Sequence, residues 1–521
     1  MINRRRVTFS IILISLLIVL FSCSGEQNPP KNNERTFCFT DSGPRYMIRY
    51  NSSPDKTVSL SDTGYIKSYS SAVPEKPAGD VSVRMASRGL SGAAGGEGVR
   101  VTLTDSGDKI GAVKQFFVYD SDEEGNKAFH EVPMTLKESG EHCLIWCEDS
   151  PEVKVPDDDS LKTLQVKFDT IYALETALFG TCSDYTVKDT EKFITDANEK
   201  IYIIVVSMTD DSTGGYFSTL DMYTESYIDN YNVENNTDYR TNEARMFYIN
   251  SDMLDEMEEC ASALTHEFQH MLRYICDEIV KGVKTPDWYD EMLSQLAEDI
   301  FSDVLKLKTE STAISKLESF KMFTNFGVTY WNNDDPVNNQ ASYSVNYAFG
   351  AYLLRNYGGA GLLAALTSHD TPGTGKDVIN NAFSILGLKN NDGGDLTFED
   401  AAAAFYQVCI YTSKEDADKG MSLNKEVEFS VGDITVTAPA IDLMNIRSSQ
   451  GELISESSVM PFPYSEIIKS DDYAAVQLHP YGFILSDLAR DDETSGEKPI
   501  RNAGRIVIEL PSNLDVKIYF H

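Results

Sequence analysis

Hydrophobic and polar residues change their period twice along the chain, which divides it into three parts. From residue 45 to 188, short alternating segments such as 114–119 and 142–146 stand between polar and glycine-rich stretches, which is typical of β-strands. Alternation returns after residue 421, for example at 505–510. The pattern therefore predicts an N-terminal β domain over 45–188 and a C-terminal β domain over 421–521.

The middle part, residues 189–420, opens with apolar strand-like runs at 201–207 and 244–249 and then takes a helical period. An apolar stripe recurs every three or four residues and predicts a long helix over 257–280. The members of this stripe are Met257, Cys260, Leu264, Phe268, Leu272, Ile275 and Ile279. Further helices are predicted at 288–307, 312–323, 347–357, 376–386 and 398–411. The order of elements predicts an α+β chain of several packed units.

The first residues have the pattern of an export signal. Arg4, Arg5 and Arg6 precede an apolar run at 9–21, which is too short for a comfortable membrane span. The letters L-F-S-C at 20–23 resemble a bacterial lipobox, in which Cys23 is lipidated. We predict a signal peptide at 1–22 and a lipidated tether at 23–44, which would hold an exported protein at the cell surface or outer membrane. A secreted protein with a plain signal peptide is the alternative.

Composition limits the classes of partner. The chain has 521 residues, of which 41% are hydrophobic, so it can bury a sizeable core. Its formal net charge of −36 argues against nucleic acid or an anionic membrane surface as a partner, because both are polyanions. The expected membrane contact is the N-terminal lipid alone, and we expect a monomer.

A metal-binding pattern lies on the predicted helix at 257–280. The chain has only seven histidines, and two of them stand in H-E-F-Q-H at 266–270. Residues i and i+4 project from one helical face, so His266 and His270 can bind one Zn²⁺, while Glu267 lies beside the open position as general base. Leu264 and Phe268 lie on the opposite side. The alternative, an exposed helix with solvated histidines, leaves the motif unexplained.

A catalytic zinc needs a third protein ligand. The next predicted helix follows Thr285 and Pro286 and contains Glu291 and Glu298. Glu291 lies 21 residues beyond His270 (291 − 270), which is enough for a turn and an antiparallel return. Glu298 lies 28 residues beyond (298 − 270) and is the rival, or a residue that orients a ligand. We predict Glu291 as the third ligand of one Zn²⁺ per chain.

The two blocks H-E-F-Q-H-M at 266–271 and W-x-x-E-x-L-S-x-x-A-E-D at 288–299 resemble the hyicolysin family of neutral metallopeptidases. That family is a gluzincin group similar to thermolysin in its ligands. The resemblance covers about residues 142–360. It implies a thermolysin-like zincin unit, a small sheet plus a helical lobe, with His266, His270 and Glu291 as zinc ligands and Glu267 as the catalytic residue.

The chain departs from the family pattern at three positions. Asp290 and Met292 flank Glu291 where the family has asparagine and glycine, and Gln295 stands where thermolysin-like enzymes have an aspartate that orients a metal-bound histidine. For the oxyanion donor we favour Tyr347, which matches a family tyrosine and is expected to open the 347–357 helix. Tyr343 and His369 are the alternatives.

These features predict a zinc-dependent endopeptidase that hydrolyses extracellular proteins or peptides, with Glu267 as the base for a metal-activated water. A non-enzymatic surface lipoprotein, an adhesin or binding module with a vestigial site, is the alternative, and an exopeptidase is a third hypothesis. The run at 244–249 is expected either to pair with an extended substrate or to be a buried structural strand.

An acidic segment at 120–125, D-S-D-E-E-G, nearly matches a calcium-binding loop. Glu124 is the wrong residue for its position, and the flanking residues alternate like strands. An acidic hairpin turn is the favoured interpretation, with peripheral Ca²⁺ as the alternative.

Overall fold

The structure is a computed structural model that describes residues 34–39, 44–59, 65–70, 98–121, 127–150, 157–208, 214–332, 336–448, 450–454, 477–488, 505–509 and 515–521. The predicted signal peptide, Cys23 and most of the tether lie outside the described residues, as does the tip of the acidic segment at 122–126. Among the helices that the structure describes, none is long and apolar enough to cross a membrane.

The described chain is a mixture of α-helix and β-strand, which confirms the α+β class. The strands are β1 (Glu34–Cys38), β2 (Tyr46–Asn51), β3 (Val58–Ser59), β4 (Tyr65–Ser70), β5 (Val99–Arg100), β6 (Thr102–Thr104), β7 (Val113–Ser121), β8 (Lys127–Ser139), β9 (Cys143–Glu148), β10 (Thr186–Val187), β11 (Asp196–Asn198), β12 (Ile201–Val206), β13 (Gly215–Tyr216), β14 (Met246–Asn250), β15 (Val427–Val431), β16 (Ile434–Ala438), β17 (Gln477–Leu478), β18 (Phe483–Asp487), β19 (Arg505–Glu509) and β20 (Val516–Phe520). The helices are α1 (Asp158–Phe179), α2 (Glu225–Asn235), α3 (Met257–Tyr274), α4 (Asp287–Leu305), α5 (Leu317–Met322), α6 (Pro336–Asn356), α7 (Ala360–Thr367), α8 (Lys376–Ile385) and α9 (Phe398–Ala404).

The largest sheet has six strands in the order β13-β14-β12-β9-β8-β7. Strand β12 lies at its centre and pairs in parallel with both β14 and β9, while the outer pairs are antiparallel. A parallel strand that is covered on both faces needs apolar side chains on both, and β12 has the sequence IYIIVV with every residue buried. The continuous apolar run at 201–207 therefore marks the centre of the sheet.

The two faces of this sheet pack against different elements. Ile201, Ile203 and Val205 join the core formed with the helices, whereas Tyr202, Ile204 and Val206 join a smaller core on the other side. That smaller core contains Phe116 and Val118 of β7, because the β7–β8 hairpin curls over the sheet. The hydroxyl of Tyr216 donates to the backbone carbonyl of Tyr119 at 3.3 Å. The two edge strands, β7 and β13, thus approach each other.

Helix α1 is a correction to the predicted β pattern at 45–188. Six of its apolar residues follow a helical stripe and are buried: Leu161, Leu164, Phe168, Ile171, Leu174 and Phe179. Asp157 caps the helix by accepting a hydrogen bond from the Ser160 backbone amide at 2.7 Å. The helix lies against α3, where the Tyr172 and Phe268 rings stack at 5.5 Å. The division expected at residue 188 therefore falls within one sheet-and-helix layer, because β7, β8 and β9 share a sheet with β12.

The strands near the two chain ends pair with each other. Strand β2 lies between β18 and β20, and β19 lies between β1 and β4, all antiparallel. Segments that the sequence pattern assigned to separate N-terminal and C-terminal β domains therefore share sheets. The helices predicted at 257–280, 288–307 and 376–386 are confirmed, the first with a π-helical end. The other three have different bounds: α6 begins at Pro336, well before 347, α5 covers only part of 312–323, and α9 ends at Ala404, short of 411.

A buried ion pair fixes α4 against α6. Arg355 Nη1 and Nη2 donate to Asp299 Oδ2 and Oδ1 at 2.8 and 3.0 Å, and both side chains are fully buried. Arg355 also donates to the carbonyl of Pro439 at 2.7 Å. Because two parallel hydrogen bonds set both distance and angle, this pair fixes the position of α4 relative to the helical lobe.

We predict that Arg355→Met destabilises the protein by about 3–5 kcal/mol, because it leaves the Asp299 carboxylate buried without a counter-charge. The measurement is the urea unfolding midpoint and slope. Lys389→Met is the control, since it breaks an exposed ion pair with Asp395 and should cost less than about 1 kcal/mol. Equal small losses in both variants would contradict a structural role for the buried pair.

Candidate metal centre

Helices α3 and α4 form an antiparallel pair, as the spacing of the two motif blocks predicts. After Tyr274 the chain continues as a π-helical segment, Ile275–Lys281, which ends at Gly282 with φ 74°. Asp277 fixes the turn, since it is fully buried and accepts hydrogen bonds from Thr285 and Thr374 at 3.0 Å each. It also forms an ion pair with Arg273. This turn brings the start of α4 back to the end of α3.

The structure brings His266, His270 and Glu291 together. Glu291 Oε2 lies 3.2 Å from His266 Nε2 and 3.7 Å from His270 Nε2, and the three ligand atoms all lie within 4.8 Å of one another. Atoms bound tetrahedrally to one zinc at about 2.1 Å are separated by roughly 3.4 Å. Glu291 Oε2 is buried and faces the Nε2 atoms of both histidines. The three residues could therefore hold a metal ion.

A carboxylate stands behind each imidazole. His266 Nδ1 lies 2.8 Å from Glu298 Oε1, and His270 Nδ1 lies 2.9 Å from Asp290 Oδ2. Such partners fix the ring orientation and leave Nε2 free for a metal. Glu298 thus contacts His266 from behind. This distance favours Glu298 as a residue that orients His266, and not as the alternative to Glu291 in the ligand position. Gln295 contacts neither histidine through its amide nitrogen, which donates to the backbone carbonyls of Glu291 and Tyr343 at 3.1 Å each.

The charges of the centre favour a cation. Burial alone would lower the pKa of His266, but the hydrogen bonds and charges of Glu291 and Glu298 outweigh it and raise the pKa to about 10. At His270, Asp290 and Glu291 outweigh burial in the same way and raise the pKa to about 9. Burial opposes ionisation of Glu291, but the two histidines lower its pKa to about 2. Without a metal this cluster takes up protons, so metal binding would release them.

Glu267 lies on the open side of the ligand group. Its Oε2 accepts a hydrogen bond from the Phe217 backbone amide at 2.8 Å, which ties the predicted base to the residue after β13. Cavities extend to either side, with volumes of about 630 Å³ and 380 Å³. Both are lined by Gly215, His266, Glu267 and Tyr343, so the candidate centre lies at the junction of a two-sided cleft.

Of the tyrosines Tyr343 and Tyr347 on α6, Tyr343 lines the cleft. Its hydroxyl donates to Glu291 Oε1 at 3.1 Å, and Lys316 lies 4.9 Å from the centre of its ring. Burial, with the nearby charges of Glu291 and Glu267, raises the pKa of Tyr343 well above its usual value. The hydroxyl therefore stays protonated and available as a donor.

Tyr347 and His369 are placed elsewhere. Tyr347 lies in the middle of α6, fully buried, where burial and the charge of Asp299 raise its pKa well above normal. One helical turn from Tyr343, it lines neither side of the cleft. His369 is exposed and lines a separate cavity of about 390 Å³. The expectation for Tyr347 is therefore corrected: its side chain points into the core, and Tyr343 takes the place in the cleft.

The strand beside the cleft is also different from the one considered at 244–249. Strand β14 lies between β12 and β13 with all of its residues buried, so it has no free edge. The edge strand is β13, Gly215–Tyr216, which the sequence placed in a polar loop. A side chain at Gly215 would meet the Tyr248 carbonyl at 2.6 Å, so only glycine fits against β14 there.

Sequence reasoning missed Asp290, Lys316 and the amide of Phe217. The sequence offered one clue to Asp290, which directly precedes Glu291 and lies four residues, about one helical turn, before Ser294. The hydroxyl of Ser294 lies 3.1 Å from His270 Nδ1, so this face of α4 is close to His270. The ammonium of Lys316 lies 3.9 Å from Glu298 Oε1. Lys316 belongs to a 3-10 helix 18 residues further along the chain (316 − 298), and no sequence pattern indicates that it contacts Glu298. Long-range packing alone brings it to the centre.

No protein-family model matches the chain, and no curated protein matches it. Assignment of the centre therefore depends on the motif spacing and on the distances among His266, His270, Glu291 and their partners.

A further buried acid, Glu175, lies in α1, which packs against α3. Glu175 is fully buried, and neither carboxylate oxygen has a hydrogen-bond partner among the described residues. Burial raises its pKa well above normal, and the charge of His270 opposes this only in part. Burial therefore favours the neutral form of Glu175.

Replacing Glu291 should remove the metal. We expect Glu291→Ala to retain less than about a tenth of an equivalent of zinc after dialysis, because a ligand is lost. Glu298→Gln keeps a hydrogen-bond acceptor for His266 and should still bind zinc, with affinity lowered about 10–100-fold. Elemental analysis and chelator competition measure both. The reverse result would make Glu298 the ligand.

Glu175 should make stability depend on pH. Its folded-state pKa lies above the unfolded value of about 4.3, so its contribution to stability is complete below that pH and decreases as the pH rises. The loss is about 1.4 kcal/mol per pH unit until the folded-state pKa is reached. Glu175→Gln lacks this term. Between pH 5 and 7, the free energy of unfolding of the variant should rise relative to that of the wild type, as measured by urea unfolding of the zinc-loaded proteins. Parallel plots of this free energy against pH would contradict the prediction.

Proposed function

We propose that the chain is a zinc-dependent endopeptidase with a thermolysin-like zincin catalytic unit, similar to the hyicolysin family. The observation that carries this proposal is the buried Oε2 of Glu291, which faces Nε2 of His266 at 3.2 Å and Nε2 of His270 at 3.7 Å. A cation satisfies that oxygen and both nitrogens together. Two imidazoles and one carboxylate, each backed by a further hydrogen bond, are a ligand set that suits Zn²⁺.

When bound, Zn²⁺ would supply Lewis-acid chemistry to a water and a substrate carbonyl in the cleft. The chain's own residues supply the proton transfers. Glu267 accepts the proton of the attacking water and returns it to the leaving amine. The hydrogen bond from the Phe217 amide holds one of its carboxylate oxygens, so the other is left for the transfer. Fixing the carboxylate in this way lowers the entropy cost of the step.

Tyr343 is the proposed donor to the oxygen that gains negative charge. Its hydroxyl lies at the junction of the two cavities and remains protonated because its pKa is raised. In the structure it donates to Glu291 Oε1, so this contact must exchange for one to the substrate oxygen. A single donor of this kind contributes about 2.7–4 kcal/mol to related reactions.

A cleft that continues on both sides of the centre supports cleavage within a chain. The cavities of about 630 Å³ and 380 Å³ leave room for substrate before and after the scissile bond, and an exopeptidase would close one of them. Together with the predicted export signal and lipidated Cys23, this supports protein or peptide substrates outside the cell.

The test uses zinc-loaded protein and a peptide blocked at both ends. Wild type should cleave it internally, and a chelator should abolish cleavage. Glu267→Gln should keep about one equivalent of zinc and lose at least about a hundredfold in kcat/KM, because the base is lost while every metal ligand remains. Wild type that binds zinc but hydrolyses neither this peptide nor casein would favour a non-enzymatic binding protein.

The chain offers a matched pair for the tyrosine. Tyr343→Phe should lower kcat about 10²–10³-fold with little change in zinc content. Tyr347→Phe makes the same chemical change four residues along the same helix and should leave kcat unaltered. If Tyr347→Phe is the damaging variant, the donor is the residue that the sequence favoured.

A further inference from the structure

The two halves of the cleft differ in their lining. The smaller half extends from the metal centre along the end of α3, and we call it the Tyr274 half. Its walls include the rings of Phe217 and Tyr274, and its charged residues are Glu278, Lys284, Asp287 and Asp290. Acids therefore outnumber bases by three to one among the charged residues that line it beyond the metal centre itself.

The single lysine does not neutralise this excess. Lys284 is exposed, as is Asp287, and both can turn towards water. A second lysine, Lys192, does not line the cavity, although its charge opposes the increase that burial causes in the pKa of Glu278. Its ammonium lies over the Phe193 ring, 4.7 Å from the ring centre. Glu278 and Asp290 remain as partly buried acids within the cavity.

Asp290 supplies a second, independent feature. Its Oδ2 is occupied by His270 Nδ1, but its Oδ1 is buried and has no hydrogen-bond partner among the described residues. A buried, unsatisfied carboxylate oxygen is costly, and a charged donor from a bound molecule would satisfy it. Asp290, which lines the cavity, thus has one carboxylate oxygen in contact with His270 and one that lacks a hydrogen-bond donor among the described residues.

The aromatic walls suit a side chain that is apolar along its length and charged at its tip. Phe217 and Tyr274 contact each other at 5.9 Å with their ring planes inclined by 62°. The methylene stem of a lysine or arginine packs on such rings, and the cation gains from the ring face. Because Phe217 also donates to Glu267, this wall lies next to the reacting groups.

We propose that the Tyr274 half of the cleft binds an ammonium or guanidinium group of the substrate, so that cleavage occurs beside a Lys or Arg residue. The inference rests on the proposed peptidase function and adds the class of substrate to it. The formal charge of −36 would further draw cationic peptides towards the protein at low ionic strength. The same carboxylates could hold the free amino terminus of a peptide, and the experiment separates these two sources of the cation.

The test compares peptides that differ at one position near the scissile bond, which carries Lys, Gln or Glu. Each peptide is made in two forms, one acetylated and amidated at its ends and one with a free amino terminus. Zinc-loaded wild type should show a kcat/KM at least about tenfold higher for Lys than for Gln, and lowest for Glu. The Lys preference should shrink as salt is raised.

Variants of opposite sign locate the subsite. Glu278→Gln should lower the Lys-to-Gln ratio about fivefold, whereas Lys284→Gln, in the same cavity, should raise it. Glu234→Gln is the control, since Glu234 is an exposed acid on α2 and outside the cleft. Zinc content is measured for each variant, so that a change in the ratio is not caused by metal loss.

Each outcome has one meaning. Equal kcat/KM for Lys and Gln peptides, or equal ratios in Glu278→Gln and Glu234→Gln, overturns this inference and leaves the peptidase function standing. Cleavage only of peptides with a free amino terminus identifies that amine as the bound cation. If wild type hydrolyses none of the peptides, the peptidase function itself fails.

Discussion

Buried negative charge that needs a cation is the constraint on which the centre depends. Glu291, Glu298 and Asp290 all contact the imidazoles of His266 and His270 in the space between α3 and α4. Each carboxylate is too costly to bury without a partner of opposite charge. Protons on the histidines or a metal ion between them can meet this demand, and only a metal reaches Glu291 Oε2 and both Nε2 atoms at once.

The rest of the fold keeps this charge cluster at a fixed spacing. The buried Asp277 closes the turn between α3 and α4, and the Asp299–Arg355 pair fixes α4 against α6. Helix α6 in turn carries Tyr343, whose hydroxyl donates to Glu291. A shift of α4 by one turn would break the contacts of Asp299 and Glu291 with α6, so buried polar contacts outside the cleft determine the geometry within it.

The sheet contributes the other wall. Strand β12 is buried on both faces and fixes β14 beside it, and β13 then lies at the free edge above α3. From that edge the Phe217 amide holds Glu267, while the Phe217 ring forms part of the Tyr274 half of the cleft. The short segment of β13 and Phe217 thus links Glu267, the proposed base, to the proposed site for the substrate cation. A substrate contact that moves Phe217 would therefore also move the hydrogen bond to Glu267.

The sequence by itself predicted most helices of the middle part, the central strands and the grouping of His266, Glu267, His270 and Glu291, because helical periodicity and short spacing are local properties. It did not predict α2 or α7. It misread α1 as part of a β region, although the stripe from Leu161 to Phe179 was present. Only the tertiary structure decided that Tyr343 rather than Tyr347 enters the cleft, since the two lie one turn apart on a helix whose apolar pattern does not distinguish its faces. Tertiary packing also decided that Glu298 and Asp290 back the ligands, that β13 is the edge, and that the chain's two ends share sheets. These features depend on contacts between residues far apart in the chain, which no local pattern encodes.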